Sequence, residues 1–318
     1  MMSDSSQLAP VVLFVYARPD HTRQTLEALA KNRLADQTQL YVYSDASKNE
    51  STASAVAQVR QLIRSQQWCG QVEIIEAGIN LGLAESIKRG VSEVVNRHGR
   101  VIVLEDDLVT SPGFLEYMNT ALFAYESTPA VRHINAYCHA TPYESLLPET
   151  FFTRYMQCWG WGTWEDSWER ARWDVDKLIA DINASEKMHK QFNLGGCNGF
   201  SNQLLENQCC RIKTWAIFWA ASIFLQDGLC LSPRRSLVRN IGVDGTGENF
   251  TQDVSSSMAI NLTDSICVRK RKAKISRLGE FSLQQSLRWG STSTWANHLK
   301  GNLGRWKHRL WKKMGLLQ

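Results

Sequence analysis

Glu105-Asp106-Asp107 follow directly on the apolar run Val101-Ile102-Val103-Leu104. Adjacent carboxylates repel one another unless a positive charge sits among them. Oxygen ligands of this kind suit a divalent cation, above all one shared with the phosphates of a ligand. The alternative is a solvated acidic turn. A short apolar run reads as a buried strand. Ser111-Pro112 read as a helix start, with serine as N-cap and proline at the first helical position. The acids therefore belong at the C-terminal end of a strand, where open α/β sheets bind their ligands.

The first half of the chain repeats that plan. Apolar strands are expected at 11–16, 40–43 and 72–75, followed by Arg18, by Ser44-Asp45 and by Asn80-Leu81-Gly82. Helical periodicity fills 20–30, 51–65 and 84–97. Such alternation predicts a parallel sheet with right-handed crossovers, which releases every strand end on one edge. Arg18, Asp45, the 80–82 turn and the acids are thus expected around one crevice. Taken singly, Arg18 reads equally as a carbonyl cap and Asp45 as an Asx-turn. No GxxxxGK[ST] occurs and no GxGxxG follows the first strand, which excludes a P-loop and argues against a dinucleotide fold. Ligand phosphates then fall to a metal and to side chains such as Arg18 or Lys88, a pattern of nucleotide-sugar enzymes.

Five of the twelve tryptophans lie between Trp159 and Trp173. Rigid aromatics beside glycines make platforms for sugar rings, so Trp161 and Trp164 are candidate acceptor contacts, and a packed aromatic core is the other reading. Trp215 onward predicts a buried helix and 229–231 a short strand. The Gly-rich segment 240–249 reads either as a lid over a bound diphosphate or as a plain surface loop.

The net charge of +5 over 318 residues conceals a division. From Arg269 onward thirteen Lys/Arg face the single acid Glu280, whereas residues 1–268 hold 23 bases and 30 acids. Trp295, Leu299, Leu303, Trp306, Leu310 and Met314 share one helical face among Lys300, Arg305, Lys307, Arg309, Lys312 and Lys313. That tail reads as an in-plane helix on an anionic membrane surface; a helix docked on the body and nucleic-acid binding are the alternatives. Residues 1–10 lack the basic and apolar regions of a signal peptide, and the apolar run 215–225 is too short for a bilayer. The eight cysteines show no CxxC spacing and are expected to be reduced and structural rather than zinc ligands. Placement is therefore expected to be cytoplasmic and peripheral, on the inner face of the plasma membrane.

Taken together, residues 10–18, Ser44-Asp45, Asn80-Leu81-Gly82-Leu83, Leu104-Glu105-Asp106-Asp107, the block from Trp159 to Trp164, and 236–242 resemble bacterial glycosyltransferases of the GT-A fold. The resemblance is family 2-like, covers about residues 9–250, and extends to a catalytic core similar to that of N-acetylglucosaminyltransferase I. It implies an α/β fold of GT-A type, a Rossmann-like nucleotide-sugar-binding sheet with helices on both faces. A glycosyltransferase domain at 9–255 would divide into a nucleotide-sugar half, 9–125, and an acceptor half, 126–255, ahead of a basic extension at 256–318 that reads as a membrane-associating segment.

The resemblance further implies a UDP-sugar donor, Mn²⁺ or Mg²⁺, inversion at the sugar carbon, and a glycan or lipid-linked acceptor in bacterial surface polysaccharide synthesis. Asp107 would hold the metal, Glu105 and Asp106 the ribose and sugar, Arg18 the pyrophosphate and Asp45 the uracil. The metal would neutralise departing UDP while a carboxylate takes the acceptor proton. Two departures bear on this. Lys213 stands where relatives often carry an acid, which leaves Asp166, Glu165 and Glu206 as candidate bases. Gly247-Glu248-Asn249 stands where relatives tend to have Gly-x-His. A sugar-phosphate nucleotidyltransferase and a non-catalytic membrane-bound scaffold are the rival readings.

Overall fold

The computed structural model describes residues 8–141, 143–245 and 260–289. The expectations placed on Glu248 and Asn249 and on the amphipathic face at 295–314 lie outside these residues.

Strand β1 (Val11–Val15) is apolar and buried along its whole length, as a central parallel strand must be. Helix α1 (Pro19–Ala30) follows with proline at its first position, where its missing N–H costs nothing. Then come β2 (Gln39–Ser44), α2 (Glu50–Ile63), β3 (Gln71–Glu76), α3 (Leu83–His98) and β4 (Arg100–Glu105). Asn49 and Thr52 form a reciprocal capping box at the start of α2. The second half comprises β5 (Leu108–Thr110), α4 (Phe114–Tyr125), β6 (Val131–Asn135), β7 (Thr150–Thr153), β8 (Trp161–Trp164), α5 (Glu165–Trp168), α6 (Val175–Ile182), α7 (Glu186–Phe192), α8 (Phe200–Gln208), α9 (Ala216–Leu225), β9 (Leu229–Pro233), β10 (Val238–Asn240) and α10 (Arg277–Trp289).

Eight strands form one sheet in the order β3-β2-β1-β4-β8-β6-β9-β7. The first four run parallel, with Val11 opposite both Leu40 and Ile102. Chain order reverses between β1 and β4, which makes the gap beyond their C-termini the switch point where a ligand crevice opens. Strand β8 is antiparallel to both neighbours, so β6 and β9 run the same way as β4. A separate antiparallel pair, β5 and β10, lies beside the end of β4.

Alternate side chains of the sheet feed two cores. Val11, Leu13, Val15, Ile102 and Leu104 pack with α1, α2 and α4. Val12, Phe14, Val101 and Val103 pack with α3 and with Trp161, Trp168, Trp215 and Trp219. Both faces are thus covered, which is why the strands read as continuous apolar runs rather than alternating ones. The α/β architecture and the convergence of four strand ends follow the sequence. The expected cap does not: α4 starts at Phe114 with Gly113 as N-cap, two residues beyond Ser111. Residues of the 260–275 segment, among them Ile260, Val268, Ala273 and Ile275, pack onto the first core.

Candidate active site

The switch point holds the acidic run. Arg18, at the N-cap of α1, donates from Nη1 to Asp107 Oδ2 at 2.9 Å, and both side chains are about one-fifth exposed at the mouth of the cleft. Asp106 faces inward: its Oδ2 accepts from the Tyr16 N–H at 3.3 Å, and Thr25 Oγ1 donates to its carbonyl at 2.8 Å. Trp215, just ahead of α9, brings its side chain within hydrogen-bonding reach of Glu105.

Burial drives the protonation of all three acids upward. Desolvation, reinforced by Asp107, raises Asp106 to about 7. Desolvation, then repulsion from Asp107 and Asp106, raises Glu105 well above the carboxylate range. Asp107 is raised by desolvation and held back by Arg18. Ionising all three acids beside one guanidinium is therefore unfavourable, and an added cation would favour their charged forms.

The segment after β10 covers this pair. Ile241 N–H donates to the Asp107 carbonyl at 2.8 Å. A Cβ on Gly242 would stand 2.1 Å from Asp107 Oδ2 and 2.8 Å from both terminal nitrogens of Arg18. Any larger residue there would have to displace these two side-chain ends. Asp244 lies 3.9 Å from Arg18 Nη2 and 3.1 Å from His21 Nε2. His21 was not distinguished by any motif; only the turn of α1 between Arg18 and His21 could have suggested it.

Asp45 and Lys88 also lie at this edge, each engaged. Asp45 Oδ1 accepts from Ala46 N and Leu81 N at 2.8 and 2.9 Å, and Oδ2 from Gly82 N and Asn80 Nδ2 at 2.8 and 3.1 Å. Its carboxylate thereby shapes the 80–82 turn. Lys88 Nζ sits 4.6 Å from the centre of the Trp173 ring.

Three expectations need correction. Trp161 is fully buried, stacked on His133 at 5.3 Å and on Trp215 at 5.3 Å, and Trp164 is 4% exposed within the other core. Neither offers a ring face to a ligand, because β8 lies inside a sheet covered on both sides. Trp159 is the partly exposed ring at the ligand edge, set against Tyr137 at 4.6 Å; Gly160 (φ +67°) turns the chain between it and the strand. Asp166 is the third correction. Antiparallel pairing sets Trp164 opposite Arg100, and Glu165 N–H donates to the Gly99 carbonyl ahead of β4. Asp166 and Glu165 therefore lie at the far edge, about 17 Å of strand away from the acids at 3.3 Å per residue, and Asp166 pairs with Arg132 at 3.2 Å.

Glu206 lies on α8, and the loop after that helix leads to Trp215. It pairs with Arg211 at 2.9 Å, and its neighbour Asn207 clamps Thr214 through two hydrogen bonds of 2.9 Å, next to Trp215. Farther along the ligand edge, Tyr137, His139 and Tyr155 line a cavity of about 20 Å³ beneath α10. That is room for one water. Burial lowers His139 to about 4, and its Nε2 has no protein partner.

Among the described residues no three His, Cys, Asp or Glu side chains form a cage for a metal. A hard divalent ion of the Mg²⁺ type, however, binds through one or two carboxylates and completes its shell with substrate phosphates and water. The oxygen-only, under-neutralised donor set at Asp107 fits that mode.

With the geometry in place, comparison with known proteins gives the class. Residues 11–205 match Glycosyl transferase family 2. The chain belongs to that family and is a glycosyltransferase of the GT-A fold. No curated protein matches it. Solved structures with some likeness include an active-site mutant of LgtC (11% identity, 67% of this chain and 70% of that one, TM-score 0.35). TarS of S. aureus (13%, 39% and 21%, 0.28) and mouse xyloside xylosyltransferase 1 (11%, 59% and 75%, 0.32) are two more. At such scores these likenesses carry nothing beyond the family match.

Proposed function

We propose that the protein moves a sugar from a UDP-sugar to a hydroxyl of a glycan or lipid-linked acceptor, with inversion and with Mn²⁺ or Mg²⁺ as cofactor. The observation that carries this reading is the meeting of Glu105, Asp106 and Asp107 with Arg18 beneath Gly242 at the switch point. An incoming diphosphate competes with Asp107 for the guanidinium, whose fork suits phosphate oxygens. Asp107, so released, would hold the cation. When bound, the cation neutralises the charge that develops on departing UDP.

The chain's own groups do the rest. Arg18 clamps the diphosphate, and Lys88 lies on its α3 side. The turn shaped by Asp45 receives the uracil. Glu105 and Asp106, which burial makes hold their protons more tightly, contact the ribose and sugar hydroxyls. Glu206 accepts the proton of the attacking hydroxyl as general base. Trp159 replaces Trp161 and Trp164 as the acceptor platform. Surface polysaccharide synthesis at the inner face of a bacterial membrane is the setting that suits the basic C-terminal region; no helix among the described residues is long and apolar enough to cross a membrane.

A screen of UDP-sugars for Mn²⁺-dependent turnover, with Asp107→Ala alongside, tests the proposal. Turnover by the wild type that Asp107→Ala abolishes is the expected result. Equal turnover in both, or none with any donor, would overturn it. Release of pyrophosphate from UTP and a sugar phosphate would install the nucleotidyltransferase instead.

A further inference from the structure

Among the described residues, a dense run of bases lies on the segment that leads into α10. Arg269, Lys270, Arg271, Lys272, Lys274 and Arg277 are all exposed. Their backbone is held to the body: the Tyr125 hydroxyl donates to the Arg269 carbonyl at 3.4 Å and accepts from the Arg271 N–H at 3.0 Å. Ile275 bridges to Phe152, and Ser276 N–H donates to the Phe152 carbonyl at 2.8 Å. Glu149, which borders Arg269 and Arg271, is paired with Arg234. The bases therefore form an array fixed on a folded surface.

Apolar groups adjoin this array. Leu278 and Phe281, three residues apart on α10 and so on one face, are 36% and 45% exposed, with the Phe281 ring 5.3 Å from that of Tyr143. Bases that attract an anionic surface, next to apolar side chains able to enter it, are the composition of an interfacial membrane contact. A nucleic-acid face would call for the same charge but not for exposed leucine and phenylalanine on one helix face.

We propose that residues 269–281 are a second, folded membrane contact that binds anionic lipid independently of the 290–318 tail and fixes the body's orientation on the bilayer. The inference does not depend on the transferase reading. It is tested on the full-length protein with phosphatidylcholine vesicles carrying about 30% phosphatidylglycerol, against pure phosphatidylcholine. One variant combines R269Q, K270Q, R271Q, K272Q, K274Q and R277Q; the other combines Leu278→Ser and Phe281→Ser. With near-UV circular dichroism unchanged, the first should bind the anionic vesicles roughly tenfold or more weakly and with a shallower salt dependence. The second should lose affinity while keeping the wild-type salt dependence. Wild-type affinity in both variants would assign all membrane binding to the tail and overturn the proposal. A wild type that prefers single-stranded RNA to the vesicles, with the six-fold variant losing both, would overturn it in favour of nucleic acid. UDP binding, measured in parallel, reports on the transferase reading alone.

Discussion

Arg18 and Asp107 are each other's partner until a ligand intervenes, and that mutual hold sets what substitutions will do. Arg18→Met should weaken UDP roughly tenfold to a hundredfold, the range expected for losing a charge-assisted pair. The same change should strengthen Mn²⁺ binding in the absence of UDP, because Asp107 no longer has a resident counter-charge. Isothermal titration with each ligand separately checks both arms; unchanged Mn²⁺ affinity would show that the pair does not restrain Asp107. Gly242 is the tightest position in the cleft. Gly242→Ala must either part the Arg18–Asp107 contact or shift the 240–245 segment, costing about 1–3 kcal/mol as other overpacked sites do. A lowered melting temperature together with lost UDP affinity is expected, whereas a variant of wild-type stability would mean that the segment can shift freely.

At the scale of elements, β8 decides which acids can act. The tryptophan block gives no period-2 signal that separates a strand from a glycine-rich loop, since both faces of the strand are buried and every position is apolar, small or Thr163. Once it is a strand antiparallel to β4, Trp164 and Asp166 are carried to the far edge. Asp166→Asn should therefore leave turnover within about twofold of wild type, because its pair with the buried Arg132 stands at the edge opposite the crevice. Glu206→Gln should lower kcat by roughly a hundredfold or more with UDP affinity intact, the scale of general-base loss. Kinetics of the two variants under one assay would separate them; the reverse ranking would refute the placement of the base. The parallel half was legible because β1 to β4 alternate with helices at regular spacing. Residues 131–164 were not, since β6, β7 and β8 are brought together by pairing across chain distances that no local pattern announces.

Across the whole molecule, the acidic crevice couples folding to pH. Asp106 titrates near 7 when folded and near 3.8 when not, so the folded state favours its protonated form. That contribution is fully present below about pH 4 and is lost as pH rises through 7. Melting temperature should accordingly fall over this window in metal-free buffer, and Asp106→Asn should make the fall smaller, Glu105 supplying the rest. A rise in stability across the same range in wild type but not in the variant would contradict the assignment. The convergence of Arg18, Asp45 and the acids was legible from strand order alone. The cover supplied by Gly242 and Asp244 was legible only as one of two readings of the 240–249 segment, because β10 pairs with β5 from more than a hundred residues away. Strand β8 has a practical corollary as well: the chain enters it at the ligand rim and leaves it at the opposite one. A short reporter peptide spliced between the exposed residues Glu169 and Arg170 would ride on the rear of the molecule, giving a handle for immobilisation that leaves the catalytic mouth turned toward solution.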